Sequence, residues 1–167
     1  MSGDDGAAAP AEEIVQLCAF LVGGEELVVD LMRVKDIVAP LPLTRVPHAP
    51  EPIEGVIHLR GAVVPVVDVR RRLGLPRLGA TRKAKVLICT VGGRRLGLCV
   101  DAVTEVLRIP RSQIRPAPAM LTRGRPGLFA GVCGPPERLK LLLDIKALLV
   151  PGGAPPAEAG GAGERGR

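Results

Sequence analysis

The sequence predicts a mainly β protein built as two similar halves, each curling into a small β-barrel, with the two barrels sharing one core. Composition gives the first reason. Of 167 residues 47% are hydrophobic but only 1% aromatic, Phe20 and Phe129 alone, so the core must be made of Val, Leu, Ile and Ala. Clusters of β-branched residues favour strands. The second reason is punctuation: short apolar runs are separated by Gly23-Gly24, Arg60-Gly61 and Gly92-Gly93, and glycine at such a break marks the tight turn of a β-hairpin. The third is an internal repeat. The run FLVGGEELVVDLMRVKDI from Phe20 aligns without a gap on CTVGGRRLGLCVDAVTEV from Cys89, at an offset of 69 residues. Further on, Gly55-Val56 and Asp68-Val69 match Gly131-Val132 and Asp144-Ile145 at an offset of 76. Strands this short would leave many open edges in so small a protein, and curling each half into a barrel removes them.

Taken in order, residues 1–13 are rich in Ala, Gly, Asp and Glu and residues 151–167 in Gly, Pro and Ala. Neither has the apolar content of a packed segment, so both are expected to be disordered ends around an ordered unit, residues 14–150. Residues 15–22, a Gly-Gly turn and residues 26–30 form the first hairpin. Residues 31–38 carry apolar side chains at 31, 34, 37 and 38, the spacing of one helical face, and a short helix or helical turn is expected there. Five prolines make residues 39–52 an extended connection. The central hairpin follows, residues 55–59 and 62–67, with Arg60 at its tip. Asp68 caps a short helix that ends at Gly74, and residues 75–81 loop outward. Residues 86–91 and 95–100 form the next hairpin, and Asp101 opens a second helical turn over residues 101–107. Residues 110–126 are another proline-rich link, 128–133 and 139–143 the last strands, and 144–149 a closing helix capped by Asp144.

Several function classes drop out. The net charge is +6 and the pI about 9.7, with basic clusters at Arg70-Arg71-Arg72, Arg82 to Lys85, Arg94-Arg95 and Arg123 to Arg125. Sequence-tolerant nucleic-acid binders add stacking aromatics to such patches, and none is offered here. The charge is therefore read as mostly a solvated face, suited to an acidic protein partner and not to nucleic acid. Cys18, Cys89, Cys99 and Cys133 are scattered singly in apolar runs, the pattern of small buried hydrophobes in a reducing cytosol. His48 lies in a proline link and His58 in a strand, without a second ligand at metal spacing. Asp30, Asp36, Asp68, Asp101, Glu105 and Asp144 form no acid–base constellation with them, and three of these precede helical turns as caps. The Gly-Gly pairs join strand to strand, so they cradle no phosphate. No catalytic site, metal or cofactor is expected, nor any signal peptide or membrane insertion.

The run IEGVIHLRGAVVPVVDVR, residues 53–70, fits GVxxLRGxxxPVxDxR. With the VxxI segment at residues 34–37 and IRPAP at residues 114–118, it resembles the CheW family of chemotaxis coupling proteins over residues 14–150. The resemblance implies two pseudo-symmetric five-stranded SH3-like β-barrels with short helices. It implies a cytoplasmic, non-catalytic adaptor that bridges the cytoplasmic tip of methyl-accepting chemoreceptors to the regulatory domain of a CheA-type histidine kinase. By the same resemblance Arg60 belongs to a receptor-binding groove between the barrels, together with Val34, Asp36 and Ile37. Val103 and Val106, at the equivalent turn of the second half, line its other side. Kinase-binding residues are left unassigned. The sequence departs from the family's pattern at His58, where Asn is common, and lacks an aromatic early in the second strand. The alternative is a CheW-like module of a non-flagellar motility or developmental signalling pathway. Arg60 itself has no counterpart in the repeat, because Cys133-Gly134-Pro135 stands where the first half carries the arginine tip. A residue needed only to make the barrel should occur twice, so the asymmetry favours a partner contact.

Overall fold

A computed structural model describes residues 12–50, 52–75, 82–122 and 126–149. Among them the strands are β1 (Ile14–Val22), β2 (Glu25–Asp30), β3 (Val34–Val38), β4 (Ile53–Leu59), β5 (Ala62–Asp68), β6 (Lys85–Val91), β7 (Arg94–Val100), β8 (Ala102–Pro110), β9 (Phe129–Cys133) and β10 (Lys140–Leu143). Two single-turn helices, α1 (Val69–Arg72) and α2 (Ile145–Leu148), follow β5 and β10. Residues 1–11 and 150–167, nearly all of the two ends expected to be disordered, lie outside the described residues, as does most of the outward loop, 76–81. Glu13, placed in the leading segment by composition, is ion-paired through Oε1 to Arg111 Nε at 2.9 Å, and its carbonyl accepts the Arg111 backbone N–H.

The strands form two five-stranded sheets, ordered β8-β1-β2-β10-β9 and β3-β6-β7-β5-β4. Neighbours are antiparallel except β2 with β10 and β5 with β7. Replacing each strand by its repeat counterpart turns one order into the other, so the twofold pattern seen in the sequence is a symmetry of the fold. The halves are not folded separately, however. Each sheet takes the first hairpin of one half and the last three strands of the other. This corrects the expectation that each half curls on itself. An interchangeable hairpin satisfies the same hydrophobic pattern in either sheet, so a repeat alone cannot say which copy fills which place.

Closure of the sheets explains the second repeated motif. Thr44, in the first proline-rich link, pairs with Val56 of β4 through two 2.8 Å backbone bonds, and Arg115, in the second link, pairs with Val132 of β9 at 2.7 and 2.9 Å. These bridges bring the chain leaving one edge strand back to the opposite edge. The crossing is close enough to require glycine beneath it. A Cβ on Gly55 would lie 2.5 Å from the Thr44 carbonyl oxygen, and one on Gly131 2.8 Å from that of Arg115; real Cβ atoms do not approach so near.

The main core lies between the sheets. Cys18, Phe20 and Val22 of β1 meet Leu87 and Cys89 of β6 and Leu96 and Leu98 of β7, closed off by Leu73 after α1 and Leu148 of α2. The alternate residues of the same strands fill the two sheets' own interiors: Val15, Leu17 and Ala19 in one, Val86 and Ile88 in the other. Both faces of the central strands are thus buried, which is why they read as continuous apolar runs instead of alternating ones.

Two expected helical turns are strands. Residues 31–38 hold only a 3-10 turn, Leu31–Arg33, capped by Asp30 onto the Met32 N–H at 2.9 Å, and then β3. Residues 101–107 lie largely in β8. The cause is the same in both. Val34 pairs with Cys89 and Asp36 with Ile88, while Val103 pairs with Phe20 and Glu105 with Ala19, so Lys35 and Thr104 are skipped. A bulge shifts the in–out alternation by one residue, and the shifted apolar spacing imitates a helix.

Candidate functional site

The central hairpin turns in two residues, Leu59 pairing with Ala62 across Arg60 and Gly61. Both turn residues have positive φ, +50° and +80°, as the type I′ geometry preferred by right-twisted hairpins demands. The other two-residue turns, Gly23-Gly24 and Gly92-Gly93, meet that demand with glycine throughout, at φ between +58° and +83°. An L side chain in the left-handed region costs roughly 1–2 kcal/mol, so this turn carries an arginine where its own backbone disfavours one.

The Arg60 guanidinium reaches from the tip to β3 and donates from Nη1 to Asp36 Oδ2. Asp36 Oδ1 accepts the Ile37 backbone N–H at 2.9 Å. The Arg60 hydrogen bond first, and the Ile37 N–H second, hold the Asp36 carboxyl below its ordinary value, so it is a carboxylate throughout the neutral range. The arginine side chain remains 69% exposed and the aspartate 29%. Screening by water makes such a pair a weak contribution to stability; what it does is fix where the guanidinium sits, with donors left over. Ile37 beside it is exposed, and Val34, at the start of β3, packs against the shared core.

The structure therefore brings Arg60, Asp36 and Ile37 together and roots Val34 below them. Val103 and Val106 lie on β8 of the other sheet, opposite Phe20 and Cys18. Val103 packs against the same shared core as Val34, whereas Val106 is exposed on the outer part of the strand. The two groups are linked through that core and not by a direct ion pair. His58 is exposed on β4 opposite exposed Val63, as a surface position should be.

Two residues that the sequence placed in a solvated basic face, Arg70 and Arg72, prove to be structural, while Arg71, Arg94 and Arg95 are exposed as expected. Arg70 is only 8% exposed. Its Nε and Nη2 donate to the two oxygens of Asp101 at 3.2 and 2.9 Å, and Asp101 Oδ2 also accepts the Gly23 N–H at 2.8 Å. Arg72 donates to the Leu148 and Ala147 carbonyls at the end of α2, at 3.1 and 2.9 Å. Asp101 thus caps no helix, while Asp68 and Asp144 do cap theirs, onto the Arg70 and Lys146 N–H groups at 3.0 Å. One signal was available: Asp68 fixes the first turn after β5, and a fixed turn aims the arginines that follow it in defined directions.

The cysteines are free thiols, three of them buried. Burial pushes Cys89 up to about 12 and Cys99 up to about 11, away from thiolate chemistry. Among the described residues no group of three or more His, Cys, Asp or Glu is placed to hold a metal ion, and no helix is long and apolar enough to cross a membrane.

Comparison with known proteins places this geometry. A CheW-like domain model matches residues 16–150. The chemotaxis protein CheW of Rhizobium meliloti is 35% identical over 133 residues, covering 80% of this chain and 86% of the relative; that of Klebsiella aerogenes is 33% identical, covering 78% of each. The crystal structure of the scaffolding protein TtCheW from Thermoanaerobacter tengcongensis superposes with a TM-score of 0.75 at 28% identity, over 86% of this chain and 97% of that one. The exchanged five-stranded sheets, the arginine-tipped hairpin and these likenesses agree: the chain belongs to the CheW-like family of chemotaxis proteins.

Proposed function

We propose that this chain is a non-catalytic adaptor of the cytoplasm that couples chemoreceptors to a CheA-type histidine kinase. The observation that carries it is Arg60: a non-glycine residue kept at positive φ, exposed, pinned in place by Asp36, and absent from the other half of the repeat. Strain that the fold does not need is found where a partner uses it. The receptor contact comprises Arg60, Asp36, Ile37 and Val34 on one sheet and Val103 and Val106 on the other. A guanidinium with free donors suits a carboxylate on a helical receptor tip, and arginine can bind it in bidentate fashion. The exposed Ile37 and Val106 supply apolar contact on either side. The kinase's regulatory domain is engaged through a second surface. The ordered unit spans residues 14–150, with the segments on either side acting as solubilising ends.

Reconstitution tests the reading. The chain is mixed with receptor cytoplasmic fragments, a CheA-type kinase and labelled ATP; kinase output is expected to change only when all three proteins are present. Arg60→Glu is expected to keep the fold by circular dichroism and to lose receptor-fragment binding by at least about tenfold, a 1.4 kcal/mol change. Wild-type binding by Arg60→Glu removes the arginine from the site. A ternary mixture without any change in kinase output points to the other signalling pathway as the chain's place of work.

A further inference from the structure

The chain passes from one sheet to the other between β7 and β8 through a single residue, Asp101. Its carboxylate is held by the nearly buried Arg70, in bidentate fashion, and by the Gly23 N–H; its own backbone N–H donates to the Leu21 carbonyl at 2.9 Å. Arg70 is the second residue of α1, directly beyond β5, and the other end of β5 begins at Ala62, immediately after the Arg60-Gly61 turn. Asp101 in turn stands two residues before Val103. One clamp therefore joins the hairpin whose turn carries Arg60 to the strand that carries Val103. The opposite crossing, from β2 to β3, is built differently: it takes three residues, and Lys146, the counterpart of Arg70 at the 76-residue offset, is exposed and makes no ion pair among the described residues. The clamp is present on one side of the pseudo-symmetric molecule only.

A buried ion pair is a poor device for stability, since well-packed apolar residues often do as well in its place. It is a good device for geometry, because a bidentate guanidinium–carboxylate pair fixes both distance and orientation. We propose that Arg70 and Asp101 are positioning residues: they set one sheet against the other so that Arg60 with Asp36 and Val103 with Val106 are held at the spacing the receptor contact requires. This rests on the receptor-binding role proposed above.

The test is the double variant Arg70→Met/Asp101→Asn. It removes both charges together and keeps a side-chain oxygen for the Gly23 N–H. Residual dipolar couplings of backbone amides report sheet orientation without any partner. In the wild type both sheets should fit one alignment tensor; in the variant each sheet should still fit separately while the common fit fails. Receptor-fragment affinity should fall about tenfold with the thermal midpoint within about 5 °C of wild type. Arg70→Lys, which keeps the charge but loses the fork, should fall between the two, and it carries the test if the double variant does not fold. A common alignment retained in the variants overturns the clamp, and an altered alignment with wild-type affinity overturns its positioning role. If wild-type protein binds no receptor fragment at all, the receptor role fails, while the couplings still decide whether the clamp sets the sheets.

Discussion

Two arginine–aspartate pairs lie at the two ends of one hairpin arm and do different work. Arg60–Asp36 sits at the tip, with side-chain exposures of 69% and 29%; Arg70–Asp101 sits at the junction of the sheets, with 10% and 28%. The chemistry is the same, and only ten residues separate the arginines. In water the charge is a handle for a partner, and the pair's own energy is small. Under protein the same charge can be left neither unpaired nor displaced, so it dictates geometry.

Removing each arginine should separate the pairs most sharply. Arg70→Ala leaves Asp101 partly buried beside an empty space and is expected to cost about 3 kcal/mol in urea unfolding, the low end for breaking a buried pair because Asp101 keeps some water. Arg60→Ala should change stability by less than about 1 kcal/mol. Equal losses in the two variants would show that exposure does not divide their roles.

The two closing bridges offer a second contrast, between the halves. Gly55→Ala forces a Cβ against the backbone of Thr44 and should cost about 2 kcal/mol, with Gly131→Ala nearer 1, following the closer approach at Gly55. Chemical denaturation of the two variants reads this directly; the reverse order would mean that the first bridge yields more easily than its distances suggest.

Titration distinguishes the tip from the interior by sign. Cys89, in the shared core, and Cys99, packed inside one sheet, have folded pKa values raised to about 12 and about 11 from 9.0. Their stability contribution is complete below pH 9.0 and is lost as pH rises through the folded values. At pH 10 each is expected to have lost about 1 kcal/mol, seen as a lower urea midpoint than at pH 8 and reduced in Cys89→Ala. Asp36 behaves oppositely. Its carboxyl is depressed, so the tip pair persists as pH falls to the ordinary carboxylate value and fails only below it. Receptor-fragment affinity should therefore stay flat through mildly acidic pH.

Much of this was legible in the sequence. Turn glycines, apolar runs and the repeat located eight of the ten strands, and the two offsets revealed the twofold pattern. β3 and β8 were hidden because a bulge at Lys35 and Thr104 rephased their side chains into helical spacing. Which hairpin completes which sheet was hidden because the copies are equivalent in pattern. At the site, the LRG run exposed Arg60, and its neighbours on β3 came through the family's likeness. Arg70 was missed because burial is a property of the fold: the Asp68 cap fixes the turn, but which of the three arginines then meets the other sheet depends on what the fold packs against it.

The smallest expected effect is also the one that divides folding from function most cleanly. Arg60 occupies a position that Gly23 and Gly92 fill in the equivalent two-residue turns. Arg60→Gly should relieve the left-handed strain of roughly 1–2 kcal/mol, less the greater freedom that glycine has in the unfolded chain, about 0.5–1 kcal/mol, and less the weak exposed ion pair. The net expectation is a stability equal to wild type or up to about 1 kcal/mol higher, measured by urea unfolding. Receptor binding should be lost in the same variant. A turn optimised only for folding would carry glycine here as it does in its two counterparts, so a variant that is as stable as wild type and no longer binds identifies the arginine as retained for its partner. A clear loss of stability in Arg60→Gly would return the residue to a folding role and take with it the asymmetry on which the receptor assignment stands.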